Sequence, residues 1–323
     1  MPKRSLHPAA KLALRVAATL GFAWLLLRRI ELESLGRTLR SLDWRWWFLG
    51  LAVSLAVQCF AGFRWARLAR PLGFDFSILS FVMRFYEGAF FSLCLPTSIG
   101  GDFVKAYRLS DTSHGRLLAG CSVIADRLAG LAALGVLAGT TIAARSFSLP
   151  GWTTLALGAV LLAAAAWFFM KAVGSLDWLI DAIPDHHKAK EFLAKLLPYQ
   201  ERPQLMAKAV FYSMVVQVGG VVGVALVARG LGLPVPLGAW FYIVPLVALA
   251  MVLPVSISGV GVREGGLVFL LEPFGVSAEQ AVTLGLLWFL TAIVGGLLGG
   301  IVFLFDAART GAAASAEAVV SAD

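Results

Sequence analysis

Two short peptides, LPTSIGG at 95–101 and LPVSISG at 253–259, interrupt apolar runs that are otherwise long enough to cross a membrane. A helix spanning the ~30 Å hydrocarbon core needs about 20 apolar residues. Proline and glycine inside such a run end the helix at membrane depth, where the released backbone groups must be buried in protein or face a wet cavity. A chain with two such breaks has to build its interior around them.

The uninterrupted runs lie at about 10–29, 46–69, 117–144, 152–171, 207–230 and 279–305. The first resembles a signal peptide, but Arg15 lies inside it and Arg28-Arg29 end it with no small-residue cleavage signal, so it reads as a retained span. The second opens on Trp44, Trp46 and Trp47, an aromatic interfacial belt, and closes on Arg64, Arg67 and Arg70, expected at the opposite surface. Two further runs, about 78–110 and 239–273, contain the breaks and read as broken or re-entrant segments. The expected fold is an all-α polytopic membrane protein with six full spans and two broken segments, in a single domain over 1–310, with 311–323 a disordered tail. Only 14% of the residues are charged, against about 25% in soluble domains, which excludes a separate soluble catalytic domain.

The two breaks align at five of seven positions with an offset of 158, and the same offset sets Lys105 over Arg263. Three clean spans lie between them, and an odd number of crossings puts the breaks on opposite faces. The halves, about 46–144 and 207–305, are therefore expected to be inverted repeats. Residues 172–206 join them; Leu176, Leu179, Ile180, Ile183, Phe192, Leu193, Leu196 and Leu197 recur there at helical intervals, predicting an interfacial amphipathic connector. Six Lys/Arg in 171–208 against one in 229–238 place the connector and both termini in the cytoplasm, although five Arg in 28–45 argue the other way. The glycines of 219–223 and 295–300 read as helix-packing surfaces.

Charges at membrane depth cost about 2.5–3.5 kcal/mol each on insertion scales, so each asks for a partner or a role. Arg84 and Glu87, three apart on one helix, are expected to pair locally. Lys105, Arg108 and Arg263 follow the breaks, where helix N-termini and cations together make an anion site; for Lys105 and Arg108 the alternative is snorkelling from an interfacial loop. Arg127 joins this cationic set. Asp102, Asp126 and Glu264 are counter-ions or proton carriers, and Glu264 is alternatively a ligand for the cationic part of a zwitterion. Pro96, Gly100, Gly101, Pro254, Gly259 and Gly261 supply the turns and close backbone approaches. The net charge of +8 suits anionic lipid rather than nucleic acid. Cys59, Cys94 and Cys121 form no metal-ligand or disulfide pattern, His7, His114, His186 and His187 have no nucleophile beside them, and GVGVREG lacks the strand a dinucleotide fingerprint needs. Neither cofactor nor metal is expected.

LPTSIGGDFVKAYRL (95–109), SVIADRLAGL (122–131) and LPVSISGVGVREGG (253–266) resemble the integral-membrane, flippase-like domain of bacterial lysylphosphatidylglycerol synthases and its stand-alone relatives. The resemblance covers about 10–305. It implies inverted repeats, a lipid-translocating role in the bacterial cytoplasmic (inner) membrane, and no catalysis, since two-domain members carry an aminoacyl transferase after the membrane part and this sequence ends at Asp323. Phospholipids, hopanoids and polyprenyl-linked sugars are the cargoes it suggests. No ATP-binding motif is present, so transport would be downhill or coupled to protons or membrane potential. The competing expectation is a non-transporting lipid-binding or scaffolding subunit of a biosynthetic pathway, partnered by an enzyme or by a second copy of the chain.

Overall fold

A computed structural model describes residues 38, 40–94, 100–110, 112–174, 194, 196–252, 256 and 258–320. The expected first span, most of the connector including His186 and His187, and both break prolines, Pro96 and Pro254, lie outside them. The named elements are helices: α1 (Trp44–Ala69), α2 (Ile78–Cys94), α3 (Gly100–Leu109), α4 (Ser113–Ser146), α5 (Gly151–Gly174), α6 (Leu197–Gln200), α7 (Pro203–Gly230), α8 (Leu237–Val252), α9 (Val262–Leu271) and α10 (Ala278–Val320). Five are long and apolar enough to cross a membrane, over Trp44–Leu72, Gly115–Ser146, Gly151–Phe168, Gln204–Gly230 and Ala278–Asp306. The protein is an all-α, multi-pass membrane protein. Its spans fall where the apolar runs predict them, because in hydrocarbon a backbone can satisfy its own N–H and C=O groups only as a helix or a closed barrel.

Local chemistry sets the ends. Asp43 caps α1 by accepting from the Arg45 N–H at 3.1 Å, and Thr112 caps α4 by accepting from Gly115 at 3.1 Å, each satisfying an otherwise orphan donor. Proline-led 3-10 turns, Arg70–Leu72 after α1 and Glu272–Phe274 after α9, each end on a left-handed glycine, Gly73 or Gly275. α2 and α8, with 17 and 16 residues, are about 25 Å long, short of a full crossing. α10 continues to Val320, where a disordered tail is expected from 311; the run of alanines there has the highest helix propensity of any residue type.

Packing depends on glycine. On α1, a Cβ at Gly50 would stand 2.8 Å from the Gly223 carbonyl of α7, and the Asp43 N–H donates to the Gly230 carbonyl at 3.0 Å. On α10, a Cβ at Gly299 would meet the Tyr86 carbonyl of α2 at 1.9 Å, while Gly295, Gly296 and Gly300 face Gln58, Leu93 and Phe90. α1 therefore lies on α7 and α2 on α10, and α8 lies against α4. Both 44–146 and 203–320 run long helix, short helix, break, short helix, long helix. One apolar core gathers where α7, α8, α9 and α10 meet the start of α1, and a second where the end of α1 meets α2, α4 and α6. In the connector, buried Tyr199 of α6 donates its hydroxyl to the Leu68 carbonyl at 2.6 Å; burial pushes that phenol well above its usual pKa, keeping it a donor.

Candidate functional site

The short helices α3 and α9 start immediately after the breaks, and each carries a carboxylate in its first turn, Asp102 and Glu264. An acid there complements the positive helix end, so both helix starts already hold an internal anion.

Around α3 the carboxylate is shared. Asp102 takes the Lys105 ammonium at 2.9 Å and also pairs with Arg127 of α4. Lys105 lies over the Phe85 ring at 4.4 Å, a cation–π placement. Around α9 the pair is self-contained. Arg263 donates Nε and Nη2 to Glu264 Oε1 at 2.9 and 2.6 Å, and the other Glu264 oxygen accepts from the Gly261 N–H at 2.6 Å. Arg263 and Glu264 are both almost fully buried, and the guanidinium stacks 4.7 Å from the centre of Phe289. The approach to α9 runs through left-handed backbone at Ser258, Gly259 and Gly261, a conformation that costs a side-chain-bearing residue about 1–2 kcal/mol. Two of these three positions are glycine, and the Ser258 hydroxyl reaches the Ser92 carbonyl of α2 at 3.4 Å.

Lys105, Arg127, Arg263, Asp102 and Gly259 line one cavity of about 480 Å³ between the two halves, with Gln58, Ser92, Trp288 and Phe289 among its other walls. With their carboxylate partners Asp102 and Glu264, the three cations leave a formal +1. A second cavity, about 200 Å³, shares Gln58, Ala248, Trp288 and Ala292 with the first and adds Ser54, Gln217 and Thr291. Gln58 stands at the junction, its Oε1 buried without a hydrogen-bond partner.

Other expected site residues lie elsewhere. Arg108 faces away from the cavity, donating to both oxygens of Glu87 at 3.2 Å and pairing with Asp306 of α10. Arg84 therefore does not hold Glu87 in a local hydrogen-bonded pair; it donates to the Arg108 carbonyl at 3.0 Å and lies over Phe76. A helix neighbour three residues away loses to an arginine fork arriving from the next element, because the fork makes two charge-assisted bonds. Asp126 and Arg127, adjacent in sequence, point to different partners. Asp126 receives a bidentate fork from Arg64, Nε at 2.7 Å and Nη2 at 2.9 Å, and Arg64 Nη1 donates to Ser213 at 2.8 Å. Arg64 is thus buried in the protein (5% exposed) and engaged between α4 and α7. Its position a turn and a half before the end of α1, and an Asp126 in need of a cation, were the available signals. Gly101 seats α3 on α2: a Cβ there would stand 2.0 Å from the Gly88 carbonyl. Gln58, Asp306, Trp288 and Phe289 escape sequence reasoning because their roles depend on contacts between the halves.

No curated protein and no solved structure matches the chain. The family model described as lysylphosphatidylglycerol synthase TM region matches residues 12–300, a span that includes both breaks, the charged cavity and every described helix up to the middle of α10. The chain belongs to the family of the lysylphosphatidylglycerol synthase transmembrane region.

Proposed function

We propose that this protein translocates a lipid with an anionic or zwitterionic headgroup across the bacterial cytoplasmic membrane, and that it is a transporter rather than an enzyme. The carrying observation is the meeting of Lys105, Arg127 and Arg263, cations from both halves, around one cavity of about 480 Å³. Isolated charge in hydrocarbon is expensive, and a path lined with cations and polar groups replaces part of the lost hydration while the acyl chains remain in lipid. Gln58 links this cavity to the smaller one and carries an unpaired acceptor, so the polar route extends beyond the charged chamber. In this reading the halves are inverted repeats, both termini are cytoplasmic, and the breaks open toward opposite faces, giving one headgroup site alternate access.

Fluorescent-lipid scrambling in proteoliposomes tests the role. Wild type should scramble, and Arg263→Gln should lower the rate about tenfold or more, while Arg309→Gln, beyond the last span, should not. Scrambling by Arg263→Gln at the wild-type rate would remove the site from this cavity. Lipid retention without scrambling by the wild type would instead favour a scaffolding subunit. Topology has its own test: in a background lacking Cys59, Cys94 and Cys121, single cysteines at positions 98 and 256 should react with impermeant reagent from opposite sides, and same-side labelling sinks the inversion.

A further inference from the structure

Another cavity is larger than the charged one. About 670 Å³ in volume, it lies between α4, α5, α7 and α8 and is walled by groups such as Val136, Leu155, Ala159, Met214, Val218 and Phe241. Its hydroxyls are committed to the protein: Thr140 donates to the Val136 carbonyl at 2.7 Å, Thr141 to the Leu137 carbonyl at 2.8 Å and Thr154 to the Pro150 carbonyl at 3.1 Å. The cavity thus offers dispersion contacts and no place for a headgroup, except at one end. There Arg145, exposed in the last turn of α4, donates to the Tyr242 hydroxyl at 2.8 Å and lies within reach of the Phe274 ring.

The dimensions identify the occupant. On α4 the walls run from Val136 to Arg145, and on α5 from Thr154 to Leu162. At 1.5 Å per residue these are about 12–14 Å, close to half of a ~30 Å hydrocarbon core. The groove therefore has the depth of a single leaflet. Its polar end coincides with the turn between α4 and α5, where Phe147 and Trp152 are exposed as aromatic residues are at a membrane boundary. α5 is exposed along one side, so the groove is open to the bilayer.

We infer that this groove is a binding site for an anionic diacyl phospholipid of one leaflet, with an acyl chain between α4, α5 and α8 and its phosphate on Arg145 beside Tyr242. The site is separate from the charged cavity and does not depend on transport. Because α5 meets the rest of the bundle through α4, α6 and α7, the lipid completes the packing of its open side.

Two probes of equal acyl length, phosphatidylglycerol and phosphatidylcholine carrying a diazirine near the chain end, test this in nanodiscs with the full chain. Adducts should map to the end of the groove away from Arg145, at 136–141, 158–162 and 214–218, and phosphatidylglycerol should be preferred about fivefold, as one interfacial cation warrants. Ala159→Phe, filling the groove from an exposed position, should lower the yield about fivefold or more for both lipids, while Ala156→Phe, exposed on the same helix but not in the groove wall, should not. Arg145→Gln should keep the adducts and erase the preference. Equal yields from the two phenylalanine variants, no headgroup preference in the wild type, or a dimer whose α5 faces exclude lipid would each overturn the proposal.

Discussion

The two halves meet the same problem, a cation just after a broken helix, in different ways. After the first break the charge is distributed: Asp102 serves Lys105 on its own helix and Arg127 on another, and Arg108 reaches Glu87 and Asp306 on two more. After the second it is closed: Glu264 takes its neighbour Arg263 and the Gly261 N–H, and Gly285 comes close enough that a Cβ there would stand 3.0 Å from the Glu264 side chain. A shared carboxylate beside an arginine whose side chain is about half exposed (48%) can exchange partners at little cost. A buried pair whose two carboxylate oxygens already accept three hydrogen bonds cannot. In the transport reading, the first half supplies the adjustable side of the cavity and the second its fixed side.

The sharpest way to break this comparison is to remove each carboxylate. Glu264→Gln leaves Arg263 buried without its counter-charge and should cost about 3–5 kcal/mol, the usual penalty for breaking a buried pair from one side. Asp102→Asn should cost about 1–2 kcal/mol, since Arg127 retains solvent, while raising the formal cavity charge by one and favouring headgroups with an additional negative charge. Chemical denaturation in detergent reads the first difference and lipid competition the second. Equal destabilisation would mean that the first half is no more adjustable than the second.

A step smaller, the glycines of the two breaks should differ. Gly101→Ala sets a Cβ 2.0 Å from both the Gly88 carbonyl and the Ser92 hydroxyl, so α3 must leave α2; about 3 kcal/mol is expected. Gly259→Ala meets the end of the Met251 side chain at 2.5 Å, which can move, leaving the left-handed backbone penalty of about 1–2 kcal/mol. Gly120→Ala, with nothing within 4 Å in its helix, should be neutral or stabilising by up to about 1 kcal/mol. Melting curves of the three variants should separate in that order, and a Gly101 variant as stable as wild type would refute the proposed seating of α3.

The spans are legible in the sequence because a membrane helix carries its own signal: the runs at 46–69, 117–144, 152–171, 207–230 and 279–305 all lie within α1, α4, α5, α7 and α10. Lys105, Arg127, Arg263, Asp102 and Gly259, conspicuous as charges at membrane depth or as a glycine of a break, line one cavity. Partners were another matter. Helical spacing favours Arg84 with Glu87, yet Glu87 accepts from Arg108; spacing registers neighbours on one helix and carries nothing about a fork arriving from another. Arg64 shows the same limit: a basic triplet at a span's end is usual at an interface, and spacing carries nothing about its partners Asp126 and Ser213, 62 and 149 residues away. Gln58 and Trp288 have no local signal, since they line a cavity only where the halves touch.

The smallest expected effect exchanges the two cations without changing charge. Arg263 gives Glu264 two N–H groups, at 2.9 and 2.6 Å, and lays a planar face on Phe289. Lysine keeps the charge but loses the fork and the stacking, so Arg263→Lys should cost about 1.5 kcal/mol and slow scrambling measurably. Lys105 makes one ion pair, with Asp102, lies over Phe85 and borders open cavity; a guanidinium keeps both the charge and the ring contact, so Lys105→Arg should cost under about 0.5 kcal/mol. Measured together, the pair separates charge from geometry: if charge alone governed both halves, the two variants would be equally mild. A larger loss for Lys105→Arg than for Arg263→Lys would reverse the assignment, making the first half the fixed side of the cavity and the second the adjustable one.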